Sequence, residues 1–142
     1  MYALFLYTNL RKEESNMEKN TTKPPYASIT IGGEDYKLKI SASAAVDAET
    51  KLKKSGVANS LIGAVEKIES ITTQTIILHA AMQKYNANID YKKATELYEQ
   101  YLDEGGSVLD FAQKIQEIYE VSGFMTQKQV ENAQKIMEQM NQ

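Results

Sequence analysis

A chain of 142 residues, 42% hydrophobic and 25% charged, has the size and balance of one globular domain with a real core. It holds no cysteine, which excludes disulfides, a thiol nucleophile and a thiolate metal site and suits a reducing cytoplasm. A net charge of -3, with Lys and Arg interspersed among Asp and Glu, disfavours nucleic acid as a partner, and no apolar run is long enough to span a membrane.

The first segment, MYALFLYTNLRKEESN, has a short apolar run from Tyr2 to Tyr7 but neither the leading basic residues nor the small-residue cleavage site of a secretory signal. Met17 is expected to be the true start. Glu13 and Glu14 can be encoded GAG-GAA, a purine-rich ribosome-binding sequence, with the Ser15 and Asn16 codons as spacer. MEKNTTKPP, Met17 to Pro25, is polar and ends in two prolines, so it reads as a flexible lead-in. Residues 1–25 thus form a flexible or mis-annotated N-terminal segment.

ASITIGGEDYKLKIS, Ala27 to Ser41, alternates apolar and polar residues on either side of a glycine pair, the pattern of a β-hairpin. A turn centred on Gly32-Gly33 or on Gly33-Glu34 changes the partners but not the parity. Ile29, Ile31, Tyr36, Leu38 and Ile40 therefore share one face in either case. That face must be covered, because burial of each such side chain contributes roughly 1.5–3 kcal/mol against the ordering of the strands. The stripe led by Leu78 and Met82 is its expected cover. The hairpin edge near Lys37 and Lys39 is only modestly guarded, and is an expected self-assembly or client contact by strand addition.

Helical patterns follow. Ser41 or Ser43 caps AAVDAETKLKK, with Ala45, Ala48 and Leu52 along one side and Gly56 as the stop. Asn59 or Ser60 caps LIGAVEKIES, where Leu61, Ile62, Val65, Ile68 and Ile71 keep helical spacing that can continue into the next segment. TTQTIILHAAMQKYN is the most apolar stretch and predicts a central helix, with Ile71, Thr75, Leu78, Met82 and Tyr85 on one stripe. Asn88 or Asp90 opens a helix carrying Ala94, Leu97, Tyr98, Tyr101 and Leu102, closed by Gly105-Gly106. Ser107 with Asp110 begins VLDFAQKIQEIYEVS, whose stripe is Val108, Phe111, Ala112, Ile115, Ile118 and Tyr119, and Gly123 ends it. Thr126 with Gln129 reads as a capping box for a terminal helix with Val130, Ala133, Met137 and Met140 on a narrow stripe. That stripe serves either docking on the domain or a partner helix. The fold expected is mainly α with one N-terminal β-hairpin (α+β), a compact bundle of about five or six helices.

No motif sets a nucleophile beside its base, and the glycine pairs sit in turns and helix stops rather than in a phosphate loop, so an enzyme is not expected. His79, the sole histidine, lies on the most apolar helix and reads as packed rather than catalytic. The acidic pairs lack calcium-loop spacing; no metal and no cofactor is expected. Nine tyrosines and six methionines without tryptophan supply amphipathic, adaptable side chains suited to partner surfaces.

In order, YASITIGGEDYKLKISASAAVDAETKL, TIILHAAMQKYNANIDYKKATELYEQYLDEGGS and FAQKIQEIYEVSGF resemble the tail assembly chaperones of long-tailed bacteriophages and prophages, over about Tyr26 to Phe124. The pattern Ile-x-Ile-x-Gly-x-x-Tyr-x-Leu, then AAxxxE, then an LHAAMQKYN-type helix carries the likeness. It implies a cytoplasmic factor of the bacterial host, absent from the mature virion, that coats the tape measure protein until tail tube subunits displace it. It further implies self-association and, through a longer frameshifted form, contact with the tail tube protein. Residues 26–124 would be the hairpin-plus-helix chaperone domain, and 125–142 a C-terminal amphipathic helix. The client surface expected is an aromatic and methionine groove from Tyr85, Tyr98, Tyr101, Phe124, Met137 and Met140, since rearrangeable side chains tolerate varied client helices. A small virion structural protein, a tail or head-completion subunit, is the alternative. A helix-turn-helix regulator lacks its basic recognition helix.

Overall fold

The computed structural model describes residues 23–140, apart from the side chains at 133, 134, 137 and 140. The expected start at Met17 and most of the lead-in segment lie outside the described residues. The predicted hairpin is present as β1 (Ala27–Ile31) and β2 (Glu34–Leu38), antiparallel, with Ile31 opposite Glu34 and Ile29 opposite Tyr36. The turn is therefore Gly32-Gly33. Its φ values of 63° and 80° belong to the primed turn that matches strand twist, a conformation in which an L side chain is strained.

The apolar parity is as expected. Ala27, Ile29, Ile31, Leu38 and Ile40 are buried and Tyr36 half-buried on one face, while Ser28, Thr30, Asp35 and Lys37 face outward. The cover is broader than the Leu78–Met82 stripe. The central helix α2 (Ile71–Met82) packs on β2, and two further helices, α3 (Tyr91–Asp103) and α4 (Val108–Val121), pack on β1. Backbone bonds pin the hairpin at its corners. Gly32 N–H donates to Glu104 Oε1 at 3.0 Å, Lys39 N–H to the Ala81 carbonyl at 3.0 Å, and Ile40 N–H to Ser122 Oγ at 2.9 Å.

Ser41 caps α1 (Ala42–Lys54), accepting from Ala44 N–H, and Ala44, Ala48 and Leu52 are its buried side; Ala45 is only half-buried. Small residues on that side let α1 approach α2 closely. The next segment departs from its prediction: Gly63–Lys67 is a 3-10 turn rather than an α-helix, and it does not run into α2. Long-range partners brace the segment at Leu61, whose N–H donates to Glu49 Oε2 at 2.8 Å and whose carbonyl accepts from Tyr119 Oη at 2.6 Å as well as from Ala64 N–H at 3.2 Å, the i+3 bond of a 3-10 turn. Leu61, Ala64 and Ile68 are buried, whereas Ile62 and Ile71, both predicted on the apolar stripe, are more than half exposed.

Ser70 starts α2 afresh, its hydroxyl accepting from Thr73 N–H. Every residue from Thr73 to Met82 except His79 is buried, the burial expected of a central helix. Asp90 caps α3 and Ser107 caps α4. Thr126 and Gln129 form the reciprocal capping box of α5 (Gln127–Met140): Gln129 N–H donates to Thr126 Oγ1, and Thr126 N–H to Gln129 Oε1. Among the described residues the architecture is thus five α-helices and a 3-10 turn with one two-stranded hairpin, mainly α.

Candidate functional site

The described aromatic residues of the expected client surface fall in three separate places. On α3, Tyr98 and Tyr101 sit one turn apart and meet Phe111 of α4 edge-on, with ring centroids 5.6 and 5.8 Å away. Tyr98 is a core residue, 3% exposed, and its hydroxyl donates to Gln74 Oε1 at 2.5 Å. Burial pushes its phenol pKa up, with a smaller push from Tyr101. Tyr101 is half-buried over Gly106, where a Cβ would collide with its ring. Its pKa is raised by burial and by Asp110, against a hydrogen bond from the Ser107 backbone.

Phe124, half-buried, lies edge-on to Tyr119 at 5.7 Å. Tyr119 is closed in, and burial foremost, then Glu49, drives its phenol far above the ordinary value. Tyr85, past the end of α2, meets Tyr26 edge-on at 5.8 Å, and the Lys37 ammonium lies over both rings, 4.9 Å from Tyr26 and 5.7 Å from Tyr85. Among the described residues no ring contact joins the three groups. Of the residues expected in the client groove, Tyr98 is unavailable to a client because its hydroxyl and ring complete the core, while Tyr85, Tyr101 and Phe124 lie in separate places nearer the surface. The Met137 and Met140 side chains lie outside the described residues.

At the expected edge the Lys39 amide donates to the Ala81 carbonyl, which closes that position to an added strand, whereas the Lys37 backbone faces outward and its ammonium lies over Tyr26 and Tyr85. Near the chain end, Val130 is buried while Ile136, which the predicted stripe omitted, is 57% exposed; α5 packs chiefly on α4.

Two polar features were not anticipated. Gln74, fully buried, donates through Nε2 to the Ile68 carbonyl at 2.7 Å and the Val108 carbonyl at 2.9 Å while accepting from Tyr98. It thereby satisfies the approach to α2 and the first residue of α4 at once. The second feature lies in the α1–α2 cleft, a cavity of about 60 Å³ with an alanine-rich floor and Asp47, Lys51, His79 and Gln83 at its rim. Lys51 Nζ is 3.1 Å from His79 Nδ1 and 4.7 Å from the Tyr91 ring centroid, and Tyr91 Oη is 2.9 Å from Thr75 Oγ1. Burial, then the Lys51 charge, holds the His79 pKa below its usual value, against Asp90, the Ile89 backbone and Asp47. Sequence shows the polar residue types at these places but not that they meet, because the partners lie 28 and 24 positions apart.

No helix among the described residues is long and apolar enough to cross a membrane, and no described group of three or more His, Asp or Glu side chains could hold a metal ion. A family of unknown function, DUF6096, matches residues 19–141. No curated protein and no solved structure matches the chain.

Proposed function

The chain belongs to the DUF6096 family, and we propose that it is a tail assembly chaperone, coating a phage tape measure protein and keeping it soluble until tube subunits polymerise. The observation that carries the reading is the ordered resemblance from Tyr26 to Phe124, which runs through one packed unit of hairpin and helices joined by the pins at Gly32, Lys39 and Ile40. The role needs weak, repeated apolar contacts that a coat can multiply and tube subunits can displace. Exposed Ile136 on α5, the half-exposed Tyr85, and Tyr101 and Phe124 at the rim of the core supply such contacts. They act as separate patches along a client helix rather than as one groove. In this reading the protein works in the host cytoplasm without catalysis or cofactor and leaves before the virion is complete.

Co-expression with the tape measure gene of the same prophage tests the proposal. The client should move from the insoluble to the soluble fraction when this chain is present. Equal solubility with and without it sinks the reading, and recovery of the chain in purified particles favours a virion subunit instead.

A further inference from the structure

We propose that the outer edge of β1 pairs antiparallel with β1 of a second copy of this chain, joining two hairpins into a four-stranded sheet. In a hairpin closed by a two-residue turn, the pair flanking the turn is hydrogen-bonded and the pairs alternate from there. Ile31–Glu34, Ile29–Tyr36 and Ala27–Leu38 therefore carry the ladder, while Ser28 and Thr30 on β1 and Asp35 and Lys37 on β2 turn their backbone groups outward.

The two edges are not equivalent. On β2, the next outward amide, Lys39, already donates to the Ala81 carbonyl, so the end of α2 stands where an added strand would run. Glu34, Asp35 and Lys37 also put charge along β2, a common guard of natural edge strands. On β1, the outward backbone groups of Ser28 and Thr30 have no partner among the described residues. The strand ASITI carries no charge and no proline. Its inner face is closed by Ala27, Ile29 and Ile31, and the pins at Gly32 and Ile40 hold it in place, so an incoming strand meets an ordered template.

Self-complementarity selects a second copy as the occupant. A two-fold axis at Ile29 sets Ser28 opposite the second copy's Thr30, and Thr30 opposite its Ser28, each pair exchanging both backbone bonds. No like charges oppose one another, the hydroxyl side chains pair on the outer face, and both buried faces fall on the same side of the sheet. The pairing needs no client, so it stands independently of the chaperone proposal.

Sedimentation velocity on the full chain from about 10 μM to about 1 mM, the range for a small interface, should show a concentration-dependent monomer–dimer equilibrium. Ser28→Lys with Thr30→Lys sets lysine against lysine and should weaken association by roughly tenfold or more, whereas Ser28→Lys with Thr30→Glu sets opposite charges together and should restore it. Hydrogen exchange on the unaltered chain supplies a readout free of folding defects: the Ser28 and Thr30 amides should slow as concentration rises. A chain monomeric throughout the range overturns the proposal. So does a dimer in which those amides exchange at a constant rate.

Discussion

Lys51 Nζ lies 3.1 Å from Nδ1 of His79, so the imidazole accepts from an ammonium and carries its own proton on Nε2. A second proton on the ring would face the lysine directly. The folded-state pKa of His79 is accordingly depressed by burial and by Lys51. Stability from this group is complete above the unfolded value of about 6.5 and is lost as pH falls through the folded pKa. Urea unfolding at about pH 8 and about pH 5 should show a lower midpoint at the acid end, and His79→Gln should remove part of that difference. An identical pH dependence in the variant would rule the assignment out.

Tyr98→Phe removes the donor to Gln74 Oε1 and leaves a buried amide oxygen unpaired. The expected loss is about 1–3 kcal/mol in equilibrium unfolding. Gln74→Leu should cost at least as much, because it orphans the Ile68 and Val108 carbonyls. The double variant should be less damaging than the sum, and strict additivity would show that the two residues do not act as a pair.

Proline substitution distinguishes two neighbouring lysines. Lys39→Pro deletes the amide that holds the hairpin to Ala81 and should destabilise the fold by about 1 kcal/mol or more. Lys37→Pro deletes an amide that faces outward and should have the smaller effect. Thermal melts of the two variants compare them directly, and a reversed order would refute the register that pairs Ile31 with Glu34.

Thr126→Ala opens the capping box of α5 at an expected cost of about 0.5–2 kcal/mol. Because α5 packs chiefly on α4, the effect should be local. Hydrogen exchange should quicken in Gln127–Met140 and stay unchanged in α2. Equal acceleration in both would mean that α5 unfolds only with the whole domain.

The elements were legible in the chain because their signals are local. Strand alternation put Ile29, Ile31 and Leu38 on one face irrespective of the turn, and the hydroxyl and carboxylate caps at Ser41, Ser70, Asp90, Ser107 and Thr126 mark helix starts within a single turn of backbone. Ser70 lay inside a continuous helical pattern, however, so its capping role emerged only with the break before α2. The site was less legible. Tyr98 and Tyr101 share a stripe, yet only the depth of Phe111 and Gln74 separates a closed phenol from one at the rim.

Sequence alone determined the hairpin, its buried face, the long helices and the central place of α2, since periods of two and 3.6 residues follow from backbone geometry. The tertiary structure decided that the segment after Leu61 is a 3-10 turn, that Ile62 and Ile71 stay in solvent, that His79 meets Lys51, and that β2 is closed at Lys39 while the outer edge of β1 has no partner among the described residues. Each of these depends on which distant group reaches a donor, an acceptor or an apolar face first, and no local pattern encodes that.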